Sequence, residues 1–148
     1  MVTIRRLQDG DFAEWKRLRC TLWPEADEDQ AEQEMANLLE HPETMPVFVA
    51  EQANGGLCGL LEAALRETAA GCSTSPVGYL EGWYVDPEWR RQGIGRRLVE
   101  AAEAWARAKG CSEMASDTNQ AYPLSQAAHA HLGYQEVGRD IYYRKSLI

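Results

Sequence analysis

The chain has 148 residues, 45% hydrophobic and 26% charged, which suits one globular domain that buries its core without disulfides or metal. A formal net charge of -8 and a pI near 4.9 argue against a nucleic-acid partner held through phosphate neutralisation, and no apolar run reaches the length that spans a bilayer. The start, Met1 to Leu7, has no apolar stretch after its charges and reads as a strand, so a cytoplasmic location is the expectation.

Strand periodicity covers Thr3 to Leu7. Apolar positions at helical spacing then predict one helix from Asp9 or Asp11, either of which could serve as N-cap, to about Leu22. A second, acidic helix follows from about Asp27 to Leu39. Val47 to Ala50, the turn Asn54-Gly55-Gly56 and Leu57 to Leu65 read as a β-hairpin. Residues Arg66 to Pro76, rich in Gly, Ser and Pro toward their end, read as a surface loop before a strand from Val77 to Val85. An Arg- and Gly-rich turn leads into a helix whose Ile94, Leu98, Ala102 and Trp105 form one apolar stripe, stopping at Lys109-Gly110. A short strand near Glu113 to Ser116, a helix from about Leu124 to Leu132 and two last strands, Tyr134 to Val137 and Ile141 to Arg144, complete the pattern. An antiparallel first half and an alternating second half predict a single α/β (α+β) domain over residues 1–148, with a mixed sheet covered on both faces.

Cys20, Cys58, Cys72 and Cys111 are scattered, and His41, His129 and His131 sit at no zinc-ligand spacing, so neither a metal site nor a disulfide framework is expected. No Lys or Arg falls between Arg19 and Arg66, while ten acidic residues do. That one-sign stretch reads either as a solubilising face or as a field that concentrates a cationic amine.

The segment from Val85-Asp86-Pro87 to Gly93-Ile94-Gly95-Arg96 joins a strand to an amphipathic helix. Backbone N–H groups that open a helix are unpaired and sit at its positive end, so they donate to an anion. Gly93 and Gly95 let such a ligand approach, and Arg90, Arg91, Arg96 and Arg97 add charge. The spacing R-x-x-G-x-G matches neither the Walker loop nor the dinucleotide fingerprint. An ordinary glycine-containing helix start with solvated arginines is the bland alternative.

In this context the turn resembles the acetyl-coenzyme A loop of the GCN5-related N-acetyltransferases, and the order of elements resembles that fold along essentially the whole chain. Leu22-Trp23-Pro24, Tyr79-Leu80-Glu81-Gly82, Glu113 to Thr118 and Tyr142-Tyr143-Arg144-Lys145 are similar to stretches of bacterial aminoglycoside 6'-N-acetyltransferases. The resemblance implies acetyl-CoA as co-substrate, no metal, and direct transfer in a ternary complex to the 6'-amino group of a cationic aminoglycoside, hence antibiotic resistance. It also implies a homodimer, which could set Glu136 or Asp140 beside a neighbour's cleft.

The resemblance further implies that the backbone of Trp83, Tyr84 and Val85 pairs with the pantetheine arm while Arg91, Gln92, Gly93, Ile94, Gly95 and Arg96 hold the pyrophosphate. Tyr122 stands where relatives place a coenzyme-contacting Asn. An aliphatic ammonium must lose a proton before it attacks, which requires carboxylates. Glu81 is the expected base, Asp117 the second carboxylate and Trp23 an apolar wall against a sugar ring. Their bland alternatives are a solvated strand-end Glu, a turn Asp and a core Trp. His129 replaces the general-acid Tyr of many relatives, which leaves Tyr143 as candidate proton donor, and Thr68 stands where an aromatic wall is expected. A polyamine or a protein N-terminus is the alternative acceptor. A coenzyme-binding interaction module that has lost catalysis is the alternative outside enzymes.

Overall fold

A computed structural model describes residues 1–148. In chain order the elements are β1 (Thr3–Arg6), α1 (Phe12–Leu22), α2 (Glu28–Glu40), β2 (Val47–Glu51), β3 (Leu57–Arg66), β4 (Val77–Val85), α3 (Ile94–Ala108), β5 (Met114–Ser116) and α4 (Pro123–His131), with one 3-10 turn at Pro87–Trp89. The strands form one five-stranded sheet in the order β1-β2-β3-β4-β5, antiparallel until the last pair, β4 and β5, which is parallel. No helix is long and apolar enough to cross a membrane.

Period-two alternation along the strands splits the core in two. The stripe of α3 buries Ile94, Leu98, Val99, Ala102 and Trp105 against Phe48, Ala50, Cys58, Leu61, Ala63 and Leu80 on one face of the sheet. Trp15, Leu18 and Met35 of α1 and α2 cover Val47, Val49, Leu57 and Leu60 on the other. Asp27 caps α2 by accepting the Gln30 N–H at 2.7 Å. The β2–β3 turn closes as expected, with Gly55 at φ 94° and Asn54 Oδ1 accepting the Gly56 N–H at 3.0 Å.

Asp11 stands at the N-cap position of α1 but does not cap it. Its carboxylate accepts Arg5 Nη1 and Nη2 at 2.7 and 3.0 Å and the Gln8 N–H at 2.8 Å, bonds that outcompete the helix end. The Arg5 guanidinium holds this carboxyl below the usual carboxylate range. A lowered folded value means that its stabilisation is complete above the unfolded value, near 3.9, and is lost as pH falls through the folded one. Asp11→Asn therefore costs about 2 kcal/mol at pH 7 and flattens the fall in melting temperature below about pH 4, as thermal scans from pH 2 to 7 will register.

The two terminal strands expected at Tyr134–Val137 and Ile141–Arg144 do not form. Alternation is present there, but a strand exists only where a neighbour takes up its N–H and C=O groups, and residues past Tyr134 meet none within the chain. Val137, Ile141, Tyr142, Tyr143, Leu147 and Ile148 stay exposed, and Arg139 pairs only with nearby Glu136.

Two irregularities of β4 position the site. Its pairing with β5 stops at Leu80↔Ser116, so from Glu81 to Val85 one edge of the strand carries no neighbouring strand. Its register with β3 slips there as well: Glu62 faces Gly82 and Ala63 faces Leu80, which leaves Glu81 without an opposite residue. A bulge of this kind re-aims a side chain away from the sheet's regular alternation.

Candidate active site

Just past the open edge of β4 the chain makes the Arg/Gly turn. Gly93, at φ 81°, precedes the first residue of α3 with no side-chain cap, and Arg91 is the one non-glycine residue with positive φ, at 64°. A side chain held in that region costs of order 1 kcal/mol and marks a backbone shaped for something other than stability. Ile94 is buried and anchors the turn, whereas Arg90, Arg91, Gln92, Arg96 and Arg97 are exposed. Arg90 Nε donates to the Val85 carbonyl at 2.8 Å, tying the turn to the strand end. Unpaired N–H groups of the first helical turn stand beside four guanidinium groups, none of which forms an ion pair, an arrangement that suits an anion.

Along β4, Trp83 and Val85 face the α3 core and Tyr84 faces the opposite one. Tyr122 precedes α4 with 58% of its surface exposed and no capping bond. On α4, His129 Nδ1 lies 2.7 Å from the Ser125 carbonyl, which can only accept, so Nδ1 carries the proton and Nε2 faces Ser116 Oγ at 2.8 Å.

The carboxylates singled out from the sequence come together through residues that were not. Arg66 Nε and Nη2 donate to both oxygens of Glu81 at 2.9 and 2.7 Å, and its guanidinium lies 3.5 Å over the Tyr79 ring. Tyr79 in turn donates its hydroxyl to Asp117 Oδ2 at 2.5 Å. Burial and the Asp117 bond push the Tyr79 phenol well above its ordinary range, so it stays a donor at any working pH. Glu81, Arg66, Tyr79 and Asp117 thus form one connected string. The signal for Arg66 lay in the charge pattern, as the first base after the long acidic interval.

Trp23 ends α1 and is seated by two neighbours. The Arg19 guanidinium stacks 4.7 Å from its ring, and Gly82 of β4 leaves room that a Cβ would fill, only 2.5 Å from Trp23 Cη2 and 2.8 Å from Cζ2. A groove of about 290 Å³ opens beside it, lined among others by Trp23, Glu34, Asn37, Met45, Glu62 and Glu81. Gly82→Ala should displace the indole from this seat, which a shift in tryptophan fluorescence will register. Tyr143 is not brought here: it lies 91% exposed on the terminal segment. Burial pushes the Cys58 and Cys111 thiols up, which makes them poor nucleophiles.

The acetyltransferase (GNAT) family pattern matches residues 12–134. The aminoglycoside N(6')-acetyltransferase type 1 of Stenotrophomonas maltophilia is 42% identical over 146 residues, covering 98% of this chain and 94% of its own length. That of Klebsiella aerogenes is 40% identical over 146 residues, covering 97% and 96%. A solved structure of AAC(6')-Iy in complex with the bisubstrate analogue CoA-S-monomethyl-acetylneamine superposes with a TM-score of 0.90 at 35% identity, covering 99% of each chain. The chain belongs to the GNAT family of acetyltransferases.

Proposed function

We propose that the protein transfers the acetyl group of acetyl-CoA to the 6'-amino group of an aminoglycoside, by direct attack in a ternary complex, and so confers resistance. The observation that carries this reading is the position of Glu81: a carboxylate turned out of the sheet by a bulge, where β4 loses its neighbour and beside an acidic groove walled by Trp23. Relatives at 42% and 40% identity are aminoglycoside 6'-acetyltransferases over nearly their whole length.

The residues of the Arg/Gly turn fit a coenzyme with a pyrophosphate, since left-handed Gly93 and the uncapped start of α3 leave several N–H donors free. The coenzyme supplies an activated thioester, and the remaining work falls to this chain. Arg91, Gln92, Gly93, Ile94, Gly95 and Arg96 cradle the phosphates, and Tyr122 is a further coenzyme contact. Trp83, Tyr84 and Val85 offer backbone N–H and C=O groups along the open edge, one N–H serving to stabilise charge on the thioester oxygen. Trp23 stacks against the sugar, Asp117 holds an ammonium or hydroxyl, and Glu81 takes the proton from the attacking amine directly or through water. Tyr143, exposed on the terminal segment of its own chain, is the candidate proton donor to the departing thiolate only across the proposed dimer.

A homodimer and a cytoplasmic location belong to the same proposal. The dimer is supported by the terminal segment, whose exposed Ile141, Tyr142 and Tyr143 have no partner in their own chain, and the location by four free cysteines, which the cytosol keeps reduced. Light scattering on the purified protein tests the dimer, and a monomeric mass at micromolar concentration refutes it. Assays with acetyl-CoA and kanamycin, spermidine or short peptides test the acceptor, with NMR of the product to locate the acetyl group. Turnover confined to spermidine or peptides overturns the aminoglycoside assignment, and no turnover on any amine favours a coenzyme-binding module.

A further inference from the structure

Trp83 Nε1 is the one buried side-chain nitrogen or oxygen that finds no hydrogen-bond partner. Buried donors are nearly always paired, so an orphan calls for an explanation in ligand chemistry or in strain. The indole's N–H edge lies against Gly95, the second glycine of the turn: a Cβ there would sit 3.2 Å from Trp83 Cζ2 and 3.4 Å from Nε1. Its ring also stands edge-on to His129, with centroids 5.5 Å apart and planes at 89°. His129 offers no acceptor, because its two nitrogens are engaged by Ser125 and Ser116.

No acceptor of the turn lies within hydrogen-bond reach of Trp83 Nε1 either. The N–H groups that open α3 are donors, the guanidinium groups of Arg90, Arg91, Arg96 and Arg97 are donors only, and the nearby Val85 carbonyl already takes Arg90. A cluster rich in unpaired donors is completed by a ligand rich in acceptors, and a pyrophosphate is one. We propose that the Trp83 indole N–H is a coenzyme-binding donor, held in reserve in the free protein and given to an oxygen at the pyrophosphate end of CoA. The proposal rests on the coenzyme reading of the turn and adds to it a side chain from β4, which the family resemblance engages only through its backbone.

Such a donor has a double signature, because the unmade bond weakens the free protein while the made bond strengthens the complex. Trp83→3-benzothienylalanine keeps the ring shape and removes the N–H alone. Without ligand, its melting temperature should rise by about 2–4 °C, while the Kd for CoA in calorimetric titration should weaken about tenfold. Trp83→Phe, made by ordinary mutagenesis, should weaken CoA at least as much and provides the affinity test if the isostere does not accumulate. A CoA Kd within twofold of the unmodified protein overturns the proposal, as does a fall in melting temperature of the ligand-free isostere, which would mean that the N–H is already satisfied. CoA binding by the unmodified protein in the same titration judges the coenzyme reading separately.

Discussion

Glu81→Gln lowers turnover of an aminoglycoside by roughly 10²- to 10⁴-fold, the usual worth of a general base, while CoA affinity changes less than about twofold. Gln keeps the length of the side chain and one acceptor oxygen for Arg66, which now donates in a bidentate fashion, so the bulge and the strand around it should survive. What it loses is the negative charge that draws an ammonium and the lone pair that removes its proton. The split between kcat and coenzyme Kd is what distinguishes this role from a structural one. A Glu81→Gln enzyme with more than a tenth of the original turnover, measured at saturating acetyl-CoA across pH 6 to 9, would falsify Glu81 as the base.

The second large effect concerns stability. Glu62 is 2% exposed and accepts Arg19 Nε at 2.8 Å, Arg19 Nη2 at 3.2 Å and the Trp15 indole N–H at 2.9 Å. Removing one member of a buried ion pair costs about 3–5 kcal/mol, because the remaining charge keeps its desolvation penalty; Arg19 would retain only the half-exposed Glu34, at 2.7 Å. Glu62→Gln should fall at about 3 kcal/mol, since Gln still accepts from Trp15 while turning an amide N–H toward the guanidinium. In a chain of this size that is a drop of roughly 6–12 °C in melting temperature. The double replacement Arg19→Met with Glu62→Gln should be milder, for it removes both charges while Gln still accepts from the Trp15 indole. Urea titration of the three proteins decides, and a loss below about 1 kcal/mol for Glu62→Gln would show that the pair is hydrated. Because Arg19 also stacks on Trp23, Glu62→Gln should raise KM for the aminoglycoside too.

Legibility followed the range of the interaction. The hairpin, the α3 stripe and the Arg/Gly turn are local patterns whose period or turn chemistry names the element, and all three stand where the sequence places them. Asp11 looked like a cap because capping is judged from neighbours, whereas its real partner, Arg5, comes from β1. The terminal strands failed for the same reason in reverse: Ile141 to Arg144 alternates correctly, but pairing is a property of two segments and only one was visible. At the site, Glu81, Asp117 and Trp23 were found through motif resemblance. Tyr79 and Gly82 lay in the matched stretch, but their contacts, and those of Arg66, were not legible, because each acts through a cross-strand or cross-sheet contact that no spacing rule encodes.

In the role proposed for Glu81, its ion pair with Arg66 would make the site a competitive one. A cation arriving at Glu81 meets a guanidinium already bound there by two hydrogen bonds and tethered by the chain, so it contends for lone pairs with a rival that never diffuses away. A lone ammonium, such as that of lysine or a simple alkylamine, brings one contact to that contest. A molecule with several ammonium groups spread over a rigid sugar frame can engage Glu81, Asp117 and the acidic groove at once and outweigh the tether. With Glu81 in its proposed role, the internal salt bridge would set a threshold on valence, disfavouring monoamines through occupancy rather than shape.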